Sequence, residues 1–192
     1  MLSAASIDYQ IVYARIVLDA VSDAMKPVDF KTRRATPLDA DGIAAAHSDS
    51  IRSIGPLFYS QENVNDWGAG LTSDLYVKAM QRGEAFFIAV GEINGKPTVL
   101  GFASHRVDGT AHGTAVYVRG TAARRGIGSA LFRLAEADAI AMGATSIHVD
   151  ASLAAVAFYR ANGFEEVGRG NHRLRSGRDV ACVFMRKTLT TA

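Results

Sequence analysis

The sequence predicts an α/β protein whose single mixed sheet is mostly antiparallel and flanked by helices. Two two-residue turn signals, Asn94-Gly95 and Asp108-Gly109, separate three strand-like runs between Ala85 and Val118. Segments of helical period lie on both sides of this meander. After it, strand and helix signals alternate and end in a hairpin, the order expected of helices packed on one sheet.

Val28 to Arg34 alternates as a short strand. Thr36-Pro37-Leu38-Asp39 reads as a helix start: a threonine cap, proline at the first helical position and an acid in the first turn. That helix is expected to run through Ile43 to about Ser50. A second helical region follows Ser60, with Glu62 near its start and Trp67 inside it. A third fits Ser73 to Arg82 and is closed by Gly83. The meander strands are Ala85 to Val90, Val99 to Val107 and Gly113 to Val118. A long loop then leads to a helix whose Leu131, Leu134, Ala135, Asp138 and Met142 share one face, and Gly143 ends it. Thr145 to Val149 reads as a buried strand. Ala154 to Ala161 reads as a short helix closed by Asn162-Gly163. Phe164 to Gly168 begins a strand, Ser176-Gly177 turns it, and Val180 to Arg186 is the last.

No repeat, low-complexity run or Pro/Gly linker divides the 192 residues. Residues 28–188 are therefore expected to form one domain, with 1–27 an N-terminal extension of unknown role. Asp8, Arg15 and Asp19 interrupt its apolar positions, so it carries neither a membrane-length apolar span nor a signal-peptide pattern. Three readings of residues 1–25 stay open: a packing or dimerisation helix, a disordered leader, or residue ahead of a start at Met25.

A net charge of +2 points to no nucleic-acid partner. The single cysteine, Cys182, excludes an internal disulfide and fits a reducing compartment; it is expected to be a buried strand thiol. The five histidines show no metal-ligand spacing, so no metal is expected. The expectation is a cytoplasmic protein with no membrane partner, and a homodimer stays open.

The chemistry concentrates in TAVYVRGTAARRGIGSALF, residues 114–132. A glycine-containing turn at a helix N-terminus exposes backbone N–H groups without helical partners, where the helix dipole favours an anion. Arg119, Arg124, Arg125 and Arg133 place four cations around that point, with no acid before Glu136. The composition suits a phosphate ligand. The P-loop pattern Gly-x-x-x-x-Gly-Lys-Ser/Thr is absent. A dinucleotide site is the rival, since Gly126-Ile127-Gly128 opens a helix and Asp150 stands near the end of the next strand. Against it stand Leu131 at the third glycine position, the long gap between Val118 and Gly126, and a preceding strand that belongs to an antiparallel meander.

These residues resemble the GNAT superfamily of N-acetyltransferases, whose motif Gln/Arg-x-x-Gly-x-Gly/Ala aligns with Ala123-Arg124-Arg125-Gly126-Ile127-Gly128. Ala123 departs from that pattern. The stretch ASLAAVAFYRANGFEEVG, residues 151–168, resembles the family's second motif, with Ser152 where Asn is common. The resemblance runs from about Asp29 to Lys187. It implies that backbone N–H groups of Arg124, Arg125, Gly126, Ile127, Gly128 and Ser129 hold the pyrophosphate of acetyl-coenzyme A. It implies that the strand at Tyr117 and Val118 pairs with the pantetheine arm, opened by a bulge there, and that Ser152 also contacts the cofactor. It implies that an acceptor amine attacks the thioester directly, with the oxyanion held by an N–H near Val118. Tyr159 then protonates the departing thiolate. Cys182 is a poor candidate for a covalent route.

The acceptor is expected to be a small-molecule primary amine rather than a protein. Its pocket is expected along residues 54–67 and 171–180. Arg173, Arg175 and Arg178 would attract an acidic acceptor, although a solvated hairpin face explains them as well. Asp108, His105 and His112 are weighed as the base and none is assigned. A non-catalytic acyl-coenzyme A sensor and, more remotely, a dinucleotide-binding oxidoreductase are the alternatives.

Overall fold

A computed structural model of the protein describes residues 28–189; the N-terminal extension and the three readings of residues 1–25 lie outside the described residues. The chain runs β1 (Phe30–Arg34), α1 (Ala40–Ile54), α2 (Gln61–Gly68), α3 (Ser73–Gln81), β2 (Ala85–Ile93), β3 (Lys96–Asp108) and β4 (Ala111–Val118). It continues with α4 (Ile127–Ala141), β5 (Ser146–Ser152), α5 (Val156–Ala161), β6 (Glu165–Arg173) and β7 (Asp179–Thr188). The strands form one sheet in the order β1-β2-β3-β4-β5-β7-β6. The mixed, mostly antiparallel sheet expected from sequence is therefore present.

Local chemistry accounts for the element boundaries. Ser60 caps α2, its hydroxyl accepting from Asn63 N–H at 3.3 Å. The first helix starts later than its proline suggests. Pro37–Asp39 forms a 3-10 turn, because the Asp39 carboxylate reaches back to the Thr36 N–H at 2.8 Å and to Arg33 at 2.6 and 2.7 Å. Asn94 and Gly95 both adopt positive φ, 53° and 71°, as a tight hairpin turn of this hand requires.

Helices cover both faces of the sheet. On one, Ile127, Leu131 and Ala135 of α4 pack on Phe87, Leu100 and Ala103. The same layer continues over β5 and β7, where Phe132 and Tyr159 meet Ile147, Val149 and Met185. On the other face α1 and α3 set Ile43 and Tyr76 against Phe86, Ile88 and Phe102.

All neighbouring strands are antiparallel except β4 and β5, which run parallel with α4 crossing between them. The strand that closes the meander thus also opens a βαβ crossover. This corrects the sequence-based placement of that strand in a purely antiparallel context, because its two edges serve different partners. β4 matches β3 over eight residue pairs, and β5 matches β7 over seven. Between themselves β4 and β5 make one pair, Gly113 with His148, and beyond it they part. The bulge expected at Tyr117 and Val118 is absent from the β3–β4 ladder, which keeps its register throughout. The irregularity falls one strand away, where Leu100 of β3 is an extra residue against Ala89 and Val90. Its carbonyl accepts the Arg119 N–H at 2.8 Å.

Asp138 is the polar member of the inward face of α4. It bonds His105 Nδ1 at 2.8 Å and Arg34 at 2.9 Å, and His105 Nε2 lies 3.0 Å from His112 Nδ1. Since His105 is 2% exposed, Asp138→Ala would leave its ring nitrogen without an acceptor. The expected loss of stability is about 2 kcal/mol, read as a lower urea midpoint at unchanged m-value.

Candidate functional site

The loop after β4 is built by backbone reversals. Arg119 leaves the expected anion site: its Nε donates to Val99 O at 2.7 Å, and its guanidinium lies 3.6 Å from Asp49. Asp49 also accepts the Gly120 N–H at 2.8 Å, so this part of the loop is strapped to α1. Arg124 and Gly126 then adopt positive φ, 62° and 78°. For Gly126 this is inexpensive, whereas Arg124 carries about 1 kcal/mol or more of strain. The first i to i−4 bond of α4 runs from Ala130 N to Gly126 O. The N–H groups of Ile127, Gly128 and Ser129 therefore have no helical partner. Gly128 is closely packed as well, since a Cβ there would lie 3.0 Å from the Phe158 ring, which would have to shift to admit it.

The parted edge of β4 faces this helix entrance. Arg119 N bonds Leu100 O, and the ladder has period two, so the peptide groups of Tyr117 and Ala115 also point to β3. Those of Val116 and Val118 point to the open side. The Tyr159 hydroxyl lies beside the Val116 N–H, and by the same alternation the Val118 N–H faces the slot. Tyr159 is 3% exposed, and burial pushes its phenol far above the ordinary value. It remains a neutral donor at working pH.

A cavity of 390 Å³ opens from this point onto the sheet face opposite α4. Tyr159, Val116 and Ser152 line its slot end. Tyr117 lines it with its ring, which lies 3.7 Å between centroids from His47; burial pushes its phenol up to about 12. Tyr59 ties the ends of β5 and β7 together, its hydroxyl accepting from Leu153 N–H and donating to Ala181 O, both at 2.8 Å.

Two polar clusters in the cavity were not found from sequence. Asp150 Oδ2 lies 3.0 Å from His172 Nδ1. His47 Nδ1 lies 2.8 Å from the Tyr76 hydroxyl, while its Nε2 is buried with no partner. Burial, and then the field of Arg175, pushes the His47 imidazole down to about 3. Their signal in sequence was too weak to find: each pair is far apart along the chain. Cys182 is buried as expected but stands in register with Ser152 and lines the same cavity. Burial, then Asp150, raises its thiol and keeps it protonated. Asp108, His105 and His112 do not line the cavity, and His105 and His112 join Asp138 on the α4 side. Among the described residues no group of three metal-ligating side chains occurs, and no helix is long and apolar enough to cross a membrane.

The profile of the acetyltransferase (GNAT) family matches residues 56–164, more than half of the chain. The protein belongs to the GNAT family. Its fold matches a crystal structure of a GCN5-related N-acetyltransferase from Rhodopseudomonas palustris, with TM-score 0.69 and 28% identity over 86% of this chain and 98% of that one. It also matches the PaiA N-acetyltransferase from Thermoplasma acidophilum in complex with coenzyme A, with TM-score 0.65 and 16% identity over 84% of this chain and 99% of that one. A third match is yncA from Salmonella typhimurium with its cofactor acetyl-CoA, with TM-score 0.63 and 18% identity over 85% and 96%. No curated protein matches the sequence significantly. The GNAT profile covers the glycine loop, β5 and α5, the elements that frame the slot and the near end of the cavity.

The depressed His47 value makes a pH prediction. The unfolded imidazole titrates near 6.5 and the folded one at about 3, so the unfolded chain binds more protons between these values. Stability from this residue is complete above about pH 6.5 and falls as pH drops toward 3. Between pH 7 and pH 5 the expected loss is about 2 kcal/mol in urea unfolding, and His47→Phe removes that share of the slope.

Proposed function

We propose that the protein transfers the acetyl group of acetyl-coenzyme A to a primary amine of a small molecule by direct attack. The observation that carries this reading is the convergence of three features on one slot. They are the partnerless N–H groups of Ile127 to Ser129, the outward N–H of Val118, and the buried hydroxyl of Tyr159.

The residues fit the cofactor on geometric grounds. Gly126 and Gly128 keep side chains away from the helix entrance, and Arg124 and Arg125 add positive charge beside it. Acetyl-coenzyme A supplies an acetyl group activated as a thioester. The Val118 N–H is aimed to donate to an oxygen on which charge develops. Asp150 and His172 line the cavity on the acceptor side, where a histidine backed by a carboxylate is suited to accept the amine proton. Tyr159 donates to the leaving sulfur. Its raised pKa makes it a poor acid in water, so its contribution is a positioned hydrogen bond that strengthens as charge grows on sulfur. A cavity of 390 Å³ suits a small molecule.

Thiol release on an amine panel with acetyl-coenzyme A tests this. Tyr159→Phe is expected to lower kcat by roughly 100-fold or more while the calorimetric affinity for coenzyme A stays within about 2-fold. Equal turnover in the variant would remove Tyr159 from the reaction. Tight coenzyme binding with no turnover of any amine would favour a sensor. Gly128→Ala is expected to weaken coenzyme A binding by about 10-fold, because its Cβ displaces the Phe158 ring at the helix entrance.

A further inference from the structure

The β6–β7 hairpin carries three arginines near its tip, and their surroundings differ. Arg173 pairs with Asp179 at 3.0 Å. Arg178 pairs with Glu62 at 2.6 Å and Asp66 at 3.6 Å on α2. These two charges are compensated and fasten the hairpin to itself and to α2. Arg175 is not compensated: no carboxylate of the described residues pairs with it. One edge of its guanidinium is anchored, since an Nη donates to Ala69 O at 2.9 Å. Anchoring at one edge leaves donors of a planar fork on the other, the geometry that matches a carboxylate. Arg175 lines the acceptor cavity, and its field reaches His47 and Tyr76 deeper in the same cavity.

A second polar group lies deeper in the same cavity. His47 Nδ1 sits 2.8 Å from the Tyr76 hydroxyl, and its Nε2 is buried without a partner. Two carboxylates line the cavity, Asp150 and Glu84; neither pairs with Arg175, and Asp150 is engaged by His172. The donors of Arg175 on the cavity side are therefore without a carboxylate partner among the described residues.

We infer that the acceptor is an amine that also carries a carboxylate, as an α-amino acid does, and that Arg175 seats this carboxylate. The inference rests on the acetyl-transfer reading of the slot and names the substrate class of the same site. A neutral or purely cationic amine would leave the Arg175 fork facing solvent. It would also bring positive charge toward an arginine. A carboxylate at Arg175 fixes one end of the molecule and leaves its amine free to reach the slot.

The test uses the full chain, saturating acetyl-coenzyme A and matched triples of amines: α-amino acids, their carboxamides and the corresponding decarboxylated amines. The acids are expected to exceed their amides in kcat/KM by roughly 10- to 100-fold, the range of one or two charge-assisted hydrogen bonds. Arg175→Met is expected to raise KM for the acids by about the same factor, to change the amides less than about 2-fold, and to leave KM for acetyl-coenzyme A unchanged. Arg175→Lys should recover part of the loss, since it restores charge without the fork. Equal rates for acids and amides, or an equal loss on both in Arg175→Met, overturns the inference. If no member of the panel turns over, calorimetry of the same acids and amides on the protein–coenzyme A complex decides. Acid-selective binding that Arg175→Met abolishes supports the inference, and its absence overturns it. Failure to bind coenzyme A at all sinks the acetyl-transfer reading instead, so the two failures are told apart.

Discussion

The parting of β4 from β5 is the constraint on which the site depends. An inner strand of a sheet ordinarily spends both edges on its neighbours, and an unpaired N–H inside a protein is expensive. Here β4 is committed to β3 along its length and β5 to β7, so each follows its own partner and a single pair joins them. The cost is met locally. The Tyr159 hydroxyl of α5 lies beside the Val116 N–H, and Tyr59 binds the far ends of β5 and β7. What remains unsatisfied, chiefly Val118 and the first turn of α4, lies together at the slot.

The sheet divides its work between its faces. The α4 face is apolar, apart from the Arg34–Asp138–His105–His112 chain and the Lys187–Glu136 ion pair, in which each polar group is matched to another. The opposite face, between α1, α2 and the β6–β7 hairpin, keeps titratable and charged groups in a partly open cavity. Ion pairs from Arg178 to α2 hold its roof with modest strength, as exposed pairs do. The difference in chemistry follows from enclosure: a dry layer tolerates few polar groups, whereas a cavity that admits a ligand can keep donors waiting for it.

Much of the fold was legible because its signals are local. Asn94-Gly95 and Gly83 act within a few residues of themselves, and the strand and helix positions they bound agree closely with the structure. The glycine–arginine loop was legible for the same reason, since Gly126, Gly128 and the start of α4 are contiguous. What was not legible has a common cause. Arg119 read as part of an anion site, yet it binds Val99 and Asp49, which are distant in sequence. His105 was weighed as a base and not assigned, and strand alternation turns it onto the α4 side, where Asp138 holds it. Cys182 is the buried strand thiol it read as, but its neighbours were not legible: β7 inserts between β5 and β6 and brings it opposite Ser152.

The sequence by itself determined the class of fold, the helix entrance after β4 and the family's two motifs, because those rest on backbone preference and short-range spacing. Only the tertiary structure decided which side chains share the acceptor cavity. Asp150 with His172, His47 with Tyr76, and the uncompensated Arg175 meet because strand order and strand parting place them there. Such contacts are set by which edges pair and which faces close, and these depend on the whole sheet rather than on any stretch of it.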